Sequence, residues 1–371
     1  MIIKFSDKTD EIIKTLALKA QDFGVKVYFV GGLVRDVIMG KTPLDIDILV
    51  EGNAVDFVSY LDFVQIKSVH KDFGTIKTQI NGTDIDFAST REECYPYSGC
   101  LPVVEKIGCN IECDLKRRDF TINSMALEIT PDGDYPLIDP FCGQNDIKNR
   151  TLKVLHKKSY IDDPTRILRG LDFKLRFEFD FSVQDKKLIE EYLKSLDREG
   201  LSIDRVILTL NKLFCDNTRA VPAFREFCDK KYYRILYDGK NLSPQKIEQA
   251  LKLFKIKDFG DVYVKCITET AMEIVPLNTR LEIYKYFKTL TPVELCVYYA
   301  WTDDKNALLY FEELKDIKLY IKGSDLLALG CKQGREIGAV LDKVLEAKLA
   351  LNSRIFNYED EIEFVKKNLI L

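Results

Sequence analysis

Histidine is scarce in this chain of 371 residues, which contains only His70 and His156. Two histidines are too few for a histidine-rich metal centre or for a phosphohydrolase site built on several His and Asp ligands. Long apolar runs are absent as well, since no stretch approaches the roughly 18 uncharged apolar residues that a membrane span needs. The first seven residues have neither a long apolar core nor a small-residue cleavage site. We therefore expect no secretory signal, no membrane partner and a cytoplasmic location.

An excess of basic residues is also lacking, because the chain has 55 Lys and Arg and 59 Asp and Glu, which gives a net charge of −4. This total does not predict nucleic-acid binding, but it does not exclude it either, since phosphate binding depends on local basic patches. Apolar residues make up 46% and charged residues 31%, which is ordinary for a soluble globular protein. The ten cysteines are scattered and predict reduced thiols.

The pattern of apolar residues divides the chain into a mixed first part and a helical remainder. Helices are predicted over 10–23 and 33–39, and strands over 25–30, 46–50, 75–80 and 83–88. Asn81-Gly82 between the last two strands is a strong hairpin signal. Residues 91–113 contain two prolines and two glycines and are predicted to be a loop. From about residue 163 the pattern is helical almost to the end, so an α+β fold is expected.

Two carboxylates, Asp45 and Asp47, alternate with isoleucines on a predicted strand. The period of two in a strand places both on one face, where they repel each other unless a cation lies between them. Such hard oxygen ligands suit Mg²⁺. A third carboxylate could come from the hairpin, where Asp84 and Asp86 also share a face, and the sequence does not choose between them. The alternative is an ordinary solvated strand face.

Gly31-Gly32 lies between a predicted strand and a predicted helix. Glycines at such a junction let backbone N–H groups approach a phosphate, although a tight turn without a ligand is the alternative. The metal-type carboxylate pair follows about a dozen residues later. This order fits two-metal nucleotidyl transfer with release of diphosphate, in which one metal ion activates an attacking hydroxyl and both hold the triphosphate.

These residues carry a resemblance to a known family. Residues 30–50 resemble the signature of the class II tRNA nucleotidyltransferase and bacterial poly(A) polymerase family. Residues 117–126, 139–146, 162–169 and 202–205 resemble the family's second, third, fourth and fifth motifs, in the same order along the chain. Residues 323–338 resemble the family's RNA-binding tail more loosely. Asp162 and Asp204 stand where the family usually has glutamate, which keeps the charge but shortens the side chain.

The resemblance implies a polymerase-β-like nucleotidyltransferase head, a mixed β-sheet with helices, over residues 1–150. A helical neck with a nucleotide-selecting helix follows over 151–215, and an all-α body and tail that bind tRNA over 216–371. The implied reaction is template-independent addition or repair of the 3′-terminal CCA of tRNA from CTP and ATP, with Mg²⁺ as cofactor and no DNA partner. A poly(A) polymerase, or an enzyme that adds only CC or only A, stays open, and the oligomeric state is not predicted.

The resemblance assigns catalysis and metal binding to Asp45 and Asp47. It implies nucleotide binding by Gly31, Gly32, Arg35, Arg118, Asp119, Asn123, Asp163, Arg166 and Arg169. Arg118 is a candidate triphosphate clamp, because a guanidinium matches phosphate oxygens in a fork. Asp119 is expected to contact the ribose hydroxyls or to hold Arg166, and Asn123 is expected to share a helix face with Asp119. For Arg169, a phosphate contact and a structural role are equally open.

Asp163 and Arg166 lie three residues apart at a predicted helix start and therefore share a face. Cytosine and adenine both present a donor amino group beside an acceptor ring nitrogen. One carboxylate beside one guanidinium can pair with either base, whereas uracil and guanine present the reverse polarity. The pair thus predicts a choice of CTP and ATP without a template. The alternative is an ordinary surface ion pair.

Four cysteines, Cys94, Cys100, Cys109 and Cys113, fall within the predicted loop. Four thiolates can bind zinc, but these spacings are not the usual paired short ones, and free thiols are favoured. Whether they bind metal stays open. Both histidines are interpreted as structural.

Overall fold

The computed structural model describes residues 3, 5–43, 45–195, 197–237, 242–269, 272–350 and 356–368. The chain forms two compact units. The first comprises Met1–Leu213 and Asp229–Gly239, and the second comprises Phe214–Cys228 and Lys240–Leu371. The second unit begins near the body boundary expected at residue 216, whereas residue 150 lies inside the first unit. The division into head, neck, body and tail therefore stays a prediction.

The first unit is built on a mixed sheet. Its strands are β1 (Val27–Val30), β2 (Asp47–Val50), β3 (Gln65–His70), β4 (Thr75–Ile80), β5 (Thr83–Ser89), β6 (Arg91–Cys94), β7 (Val103–Ile107), β8 (Ala126–Glu128), β9 (Leu137–Ile138), β10 (Thr151–Leu152) and β11 (Asp180–Phe181). Seven of them form one sheet in the order β3-β4-β5-β2-β1-β8-β9. Only the β2–β5 pairing in this sheet is parallel among the described residues. This parallel pairing determines which carboxylates of the two strands become neighbours.

Helices cover the sheet and continue beyond it. They are α1 (Asp7–Phe23), α2 (Gly32–Ile38), α3 (Ala54–Tyr60), α4 (Ile111–Lys116), α5 (Gly143–Lys148), α6 (Ser159–Asp162), α7 (Thr165–Phe177), α8 (Val183–Ser195) and α9 (Ile203–Phe214). The Ser6 hydroxyl accepts the N–H of Thr9 at the start of α1, and Gly24 ends that helix in the left-handed conformation. Ile12 and Leu16 pack into the main core of the sheet, so the helix predicted over 10–23 is confirmed.

The hairpin prediction is confirmed, and the loop prediction after it is wrong. Asn81 and Gly82 both have positive φ, as a two-residue turn of this kind requires, and they connect β4 to β5. Residues 91–113, expected to be a loop, contain the antiparallel pair β6–β7 and the start of α4. Strand β6 reads Arg-Glu-Glu-Cys and has no apolar alternation. Instead, the Glu93 carboxylate binds the guanidinium groups of Arg91 and Arg117.

The described residues of the second unit form helices and connecting turns, as the helical pattern predicts. The helices are α10 (Asn217–Asp229), α11 (Pro244–Leu253), α12 (Phe259–Thr268), α13 (Arg280–Phe287), α14 (Pro292–Thr302), α15 (Lys305–Leu309), α16 (Gly323–Ala328), α17 (Arg335–Ala350) and α18 (Tyr358–Asn368). Thr279 and Thr291 form capping boxes at the starts of α13 and α14. Across the part of the chain that is described, no helix is both long and apolar enough to cross a membrane.

Candidate active site

Three carboxylates meet where β2 begins. Asp47 is the first residue of β2, and Asp45 precedes the strand rather than lying on it as expected. The parallel register places Asp86 of β5 beside Asp47. Desolvation raises the pKa of Asp47, and the negative charges of Asp86 and Asp45 raise it further. A group of carboxylates that repel one another in this way fits a hard divalent cation.

Asp84, the other candidate for a third carboxylate, lies apart from this group. Its Oδ1 atom is 2.6 Å from Lys67 Nζ and accepts a 2.8 Å hydrogen bond from Gln79 on the exposed surface. The structure therefore favours Asp86 as the third carboxylate, a choice that only the β2–β5 register could make.

The turn between β1 and α2 requires glycine at Gly31. This residue has φ 65° and ψ −127°, a conformation that residues with a side chain rarely adopt. A Cβ atom at this position would lie 3.3 Å from Nη1 of Arg118. The glycine thus brings backbone and guanidinium close together, as the prediction of a phosphate-binding turn requires.

Arg118 is held by a carboxylate that the sequence reasoning missed. Asp114 is fully buried on α4, and its two oxygens accept hydrogen bonds from Arg117 at 2.8 Å and from Arg118 at 3.0 Å. Burial alone would raise the pKa of Asp114, but the charges of the two guanidinium groups outweigh it and the pKa lies below its ordinary value. The spacing of three and four residues from Asp114 to the two arginines is the signal that could have found it.

Replacing Asp114 with Asn should lower the free energy of unfolding of the first unit by about 1–3 kcal/mol at neutral pH, because an amide does not neutralise the two guanidinium groups. The lowered pKa means that the carboxylate's contribution is complete above its unfolded value, near 3.9, and is lost as the pH falls through the lower folded value. Calorimetric melting at pH 7, 5 and 3 should show a gap between wild type and variant that narrows at pH 3. Exposed Asp84→Asn is the control, and a gap that widens in acid would contradict the assignment.

Asp119 is the centre of a hydrogen-bonded network of polar side chains. Its Oδ1 atom accepts hydrogen bonds from Phe120 N at 2.8 Å and Asn123 Nδ2 at 3.0 Å, while Arg169 Nη2 lies 2.6 Å from Oδ2. Burial would raise the pKa of Asp119, but Arg169 and these hydrogen bonds outweigh it and lower the pKa. Asn123 lies on a 3₁₀ turn, Thr121–Asn123, rather than on the expected α-helix. The arginine that Asp119 pairs with is therefore Arg169 rather than Arg166, and a contact of Asp119 with the ribose hydroxyls stays a prediction.

Arg35 joins this network through Asn123. It is 5% exposed, and its guanidinium donates a 2.8 Å hydrogen bond to Asn123 Oδ1 and pairs with Asp36 at 2.8 Å. It also stacks over the ring of Phe177, 4.5 Å from the centroid. These contacts show Arg35 supporting Asn123, a role that the resemblance alone did not indicate.

Asp163 and Arg166 do not form the surface ion pair that was the alternative interpretation, since they are 8% and 3% exposed. Asp163 precedes α7, and its Oδ1 atom accepts the Thr165 N–H at 3.1 Å and lies 3.1 Å from Arg205 Nη2. Arg166 donates to the backbone carbonyl of Arg117 at 3.1 Å. Each partner is therefore anchored separately. Arg205 belongs to the quoted 202–205 motif, but its partner could not be read from the sequence.

All nine residues predicted to bind nucleotide line one cavity of about 500 Å³. The other residues around it are Arg91, Glu93, Tyr95, Pro102, Arg117, Phe173 and Arg205. Seven arginines against three carboxylates make this cavity an anion site of a size suited to a small ligand. Asp45 and Asp47 are not among its lining residues, and the binding roles of the eleven site residues stay predictions.

The four cysteines of the expected loop do not come together as one group. Cys109 and Cys113 approach each other and Glu92, with one ligand atom of each within 4.8 Å of the others. Cys94 interacts instead with Glu105, whose hydrogen bond raises the pKa of that thiol.

A glycine turn, adjoining carboxylates and an arginine-lined cavity on a mixed sheet with a helical continuation define the class of nucleotidyltransferases. Comparison with known proteins narrows this class. Residues 27–153 match the Poly A polymerase head domain family. The CCA-adding enzyme of Staphylococcus aureus is 32% identical over 326 residues, which cover 85% of this chain and 77% of that protein. The chain belongs to the class II tRNA nucleotidyltransferase family.

Two other relatives are A-adding tRNA nucleotidyltransferases. The protein of Halalkalibacterium halodurans is 28% identical over 397 residues, covering 96% of this chain and 92% of its own length. The protein of Geobacter sulfurreducens is 28% identical over 415 residues, covering 95% of this chain. This chain spans only 46% of the length of the Geobacter relative.

Solved structures of the family share the fold over nearly the whole chain. A CCA-adding enzyme in complex with CTP has a TM-score of 0.75 at 26% identity, covering 98% of this chain and 95% of its own. A complex with ATP has a TM-score of 0.74 at 26% identity, with 98% and 96% covered. The Thermotoga maritima CCA-adding enzyme complexed with tRNA has a TM-score of 0.73 at 25% identity, with 98% and 96% covered.

Proposed function

We propose that this protein adds nucleotides to the 3′ end of tRNA without a template, completing or repairing the terminal CCA from CTP and ATP. The convergence of the nine predicted nucleotide-binding residues on one cavity carries the proposal. Relatives named for CCA addition or A addition, and neighbours solved with CTP, ATP and tRNA, support it. A cytoplasmic location agrees with such a role and stays a prediction.

In the proposed reaction, the 3′-hydroxyl oxygen of tRNA forms a bond to the α-phosphorus of the nucleotide and gives up its proton to solvent water. The bond between that phosphorus and the oxygen leading to the β-phosphate breaks, and diphosphate leaves. Asp45 and Asp47, with Asp86 beside Asp47, would hold divalent cations, for which Mg²⁺ is the proposed ion. Such ions supply charge neutralisation and an acidified hydroxyl when bound. Arg118, fixed by Asp114, would bind the triphosphate.

Base choice in this proposal rests on Asp163 and Arg166. The carboxylate accepts from the exocyclic amino group of cytosine or adenine, and the guanidinium donates to the adjacent ring nitrogen. Because neither side chain depends on the other for its position, both stay in place while the base changes. Uracil and guanine would leave buried groups unpaired, which costs about 1–3 kcal/mol for each mismatch.

Addition of the terminal A alone is the second candidate, because several relatives of this chain are A-adding enzymes. Incubating the protein with tRNA that lacks the whole CCA, and with tRNA that lacks only the last A, decides between the candidates when each labelled nucleotide is supplied. Growth of the first substrate to CCA supports full addition. Growth of only the second supports A addition, growth of only the first by CC supports CC addition, and long A tails would indicate a poly(A) polymerase. No incorporation in any reaction would contradict the proposal.

Gly31→Ala should lower kcat/KM for both CTP and ATP by roughly tenfold or more, because a side chain at φ 65° and ψ −127° is strained by of order 1–3 kcal/mol and relief of that strain would move the proposed phosphate-binding turn. The new Cβ would also press on Arg118, the proposed triphosphate clamp. Steady-state kinetics with each nucleotide measures the effect. Gly133→Ala is the matched control, since Gly133 also has positive φ, of 79°, but no described atom lies within 4 Å of the place where its new methyl group would stand. Equal losses in both variants would contradict a special role for Gly31.

Binding of tRNA should depend steeply on salt despite the net charge of −4. In the second unit, the exposed Lys252 and Lys255 lie beside Phe259 at a cavity of about 380 Å³, whose wall also includes Glu248 and apolar side chains. We expect these lysines to contribute phosphate contacts. Each neutralised phosphate releases counterions, so a few such contacts weaken binding roughly tenfold to a hundredfold between about 50 and 200 mM salt. Filter binding across this range measures the slope. An affinity that does not change with salt would contradict binding through phosphates.

A further inference from the structure

A group of three metal-type side chains lies outside the proposed reaction. Glu92 is on β6, Cys109 lies between β7 and α4, and Cys113 is on α4. One ligand atom from each lies within 4.8 Å of the other two. Two thiols with one carboxylate form a different donor set from the all-oxygen group at Asp45 and Asp47, so this group would select a different cation.

The backbone holds the two cysteines in place without help from a ligand. The Thr90 hydroxyl donates a 2.6 Å hydrogen bond to the carbonyl of Cys109. Asn110 caps the start of α4, and its side-chain oxygen accepts the N–H of Cys113 at 2.9 Å. The pairing of β6 with β7 positions Glu92 opposite Lys106. A site with preset backbone loses little ordering entropy when it binds its ligand.

An open path leads to this group. A cavity of about 390 Å³, which adjoins the nucleotide cavity at Glu93, Tyr95 and Arg117, is lined by Glu92 and Cys113 and also by Cys94, Glu105 and His156. Cys109 is buried behind it, at 3% exposure. A cation can therefore enter from solvent and reach two ligands at the cavity wall and one beneath them.

We propose that Glu92, Cys109 and Cys113 bind one divalent cation of the zinc class, with water in a fourth position. Zinc bonds of about 2.0–2.3 Å in a tetrahedron place neighbouring ligand atoms roughly 3.3–3.8 Å apart, so side-chain shifts of about 1 Å or less close the site. Thiolate ligands favour zinc over magnesium, and three protein ligands leave one position open. Cys94 and Cys100 are not ligands of this site.

The site lies next to the residues that hold Arg117 and Arg118, the second of which is the proposed triphosphate clamp. Glu93, which follows Glu92, binds Arg117, and Asp114, which follows Cys113, binds Arg117 and Arg118. A cation that joins Glu92 to Cys113 would tie β6 to α4 at this point. Because a ligand bound only by the folded state stabilises it, zinc is expected to raise the melting temperature of the protein.

Cobalt titration of the reduced full-length protein tests the proposal, because Co²⁺ replaces zinc and absorbs in the near ultraviolet when bound to thiolate. We expect one equivalent to bind with this absorption and to resist excess Mg²⁺, and zinc to displace it. Cys113→Ser, which leaves Cys109 as one thiolate, should weaken binding by about tenfold or more and reduce the absorption of each bound ion, and Glu92→Gln should weaken binding by about tenfold or more. Cys142→Ser, which removes an exposed cysteine elsewhere, is the control and should bind normally.

Three results would overturn the proposal: no thiolate absorption, affinity and absorption unchanged in Cys113→Ser, or an equal loss of both in Cys142→Ser. Cys113 and Glu92 are only partly buried, so their variants are expected to fold, and circular dichroism checks this. The assay contains neither nucleotide nor tRNA. Its result is therefore independent of whether the protein transfers nucleotides.

Discussion

Alanine at Asp45 or Asp47 should abolish the addition of both C and A while tRNA still binds. These carboxylates are the proposed ligands of the cations that neutralise charge at the reacting phosphate, a contribution worth several kcal/mol. A loss of that size lowers kcat by roughly a thousandfold or more. Single-turnover incorporation of labelled CTP and ATP measures the rate, and filter binding measures the affinity for tRNA.

Two further variants make this test specific. Asp86→Ala should also impair addition, because the parallel register brings Asp86 beside Asp47. Asp84→Ala is the matched control from the same strand, since its carboxylate binds Lys67 and Gln79 away from the group. Near-normal turnover by the Asp45 or Asp47 variant would refute the assignment, and equal losses in the Asp84 and Asp86 variants would refute the choice of third carboxylate.

Alanine at Asp163 or Arg166 should reduce the preference for CTP over UTP and for ATP over GTP. Removing either side chain breaks the match of one donor and one acceptor to the base edge, and the remaining partner keeps its anchor on Arg205 or on the Arg117 carbonyl. The lost discrimination should be roughly 2–4 kcal/mol. Values of kcat/KM for all four nucleotides, measured on both variants, give the change directly.

The control for base choice comes from the same helix. Arg176 of α7 packs its guanidinium over the ring of Phe177 and does not line the nucleotide cavity. Arg176→Ala should therefore leave the order of nucleotide preference unchanged. If Asp163→Ala and Arg166→Ala lower stability but keep the wild-type preference, the two residues are structural and the proposed base recognition is wrong.

Local patterns predicted the elements whose stability is local. The helix over 10–23 has its own cap and apolar stripe, and the Asn81-Gly82 turn joins two adjacent strands, so both could be read from the sequence. Residues 91–113 could not, because β6 is a charged strand whose Glu93 is neutralised by Arg117. Charge compensation between distant residues leaves no periodic signal in a sequence.

In the candidate site, too, some features could be predicted from the sequence and others could not. Motif order indicated which residues would gather, and the structure places all nine around one cavity. Their partners were harder to predict, since the choice of Asp86 depends on parallel pairing and Asp163 is anchored by Arg205 from another helix. Asp114 was the avoidable omission, because its spacing to Arg117 and Arg118 is helical and visible in the sequence.

The excess of arginine around the nucleotide cavity means that affinity for a nucleotide and selectivity among nucleotides should come from different groups. Every nucleoside triphosphate carries the same phosphates, so the cavity arginines other than Arg166, the proposed base-recognition residue, should attract all four equally. Diphosphate, the proposed product, presents the same groups and competes for the same cations. In the proposed reaction, UTP, GTP and diphosphate should therefore compete for the site, and only Asp163 and Arg166 at the base end should discriminate among the four nucleotides. Errors in such an enzyme should rise with the ratio of UTP and GTP to CTP and ATP, rather than with the total nucleotide concentration.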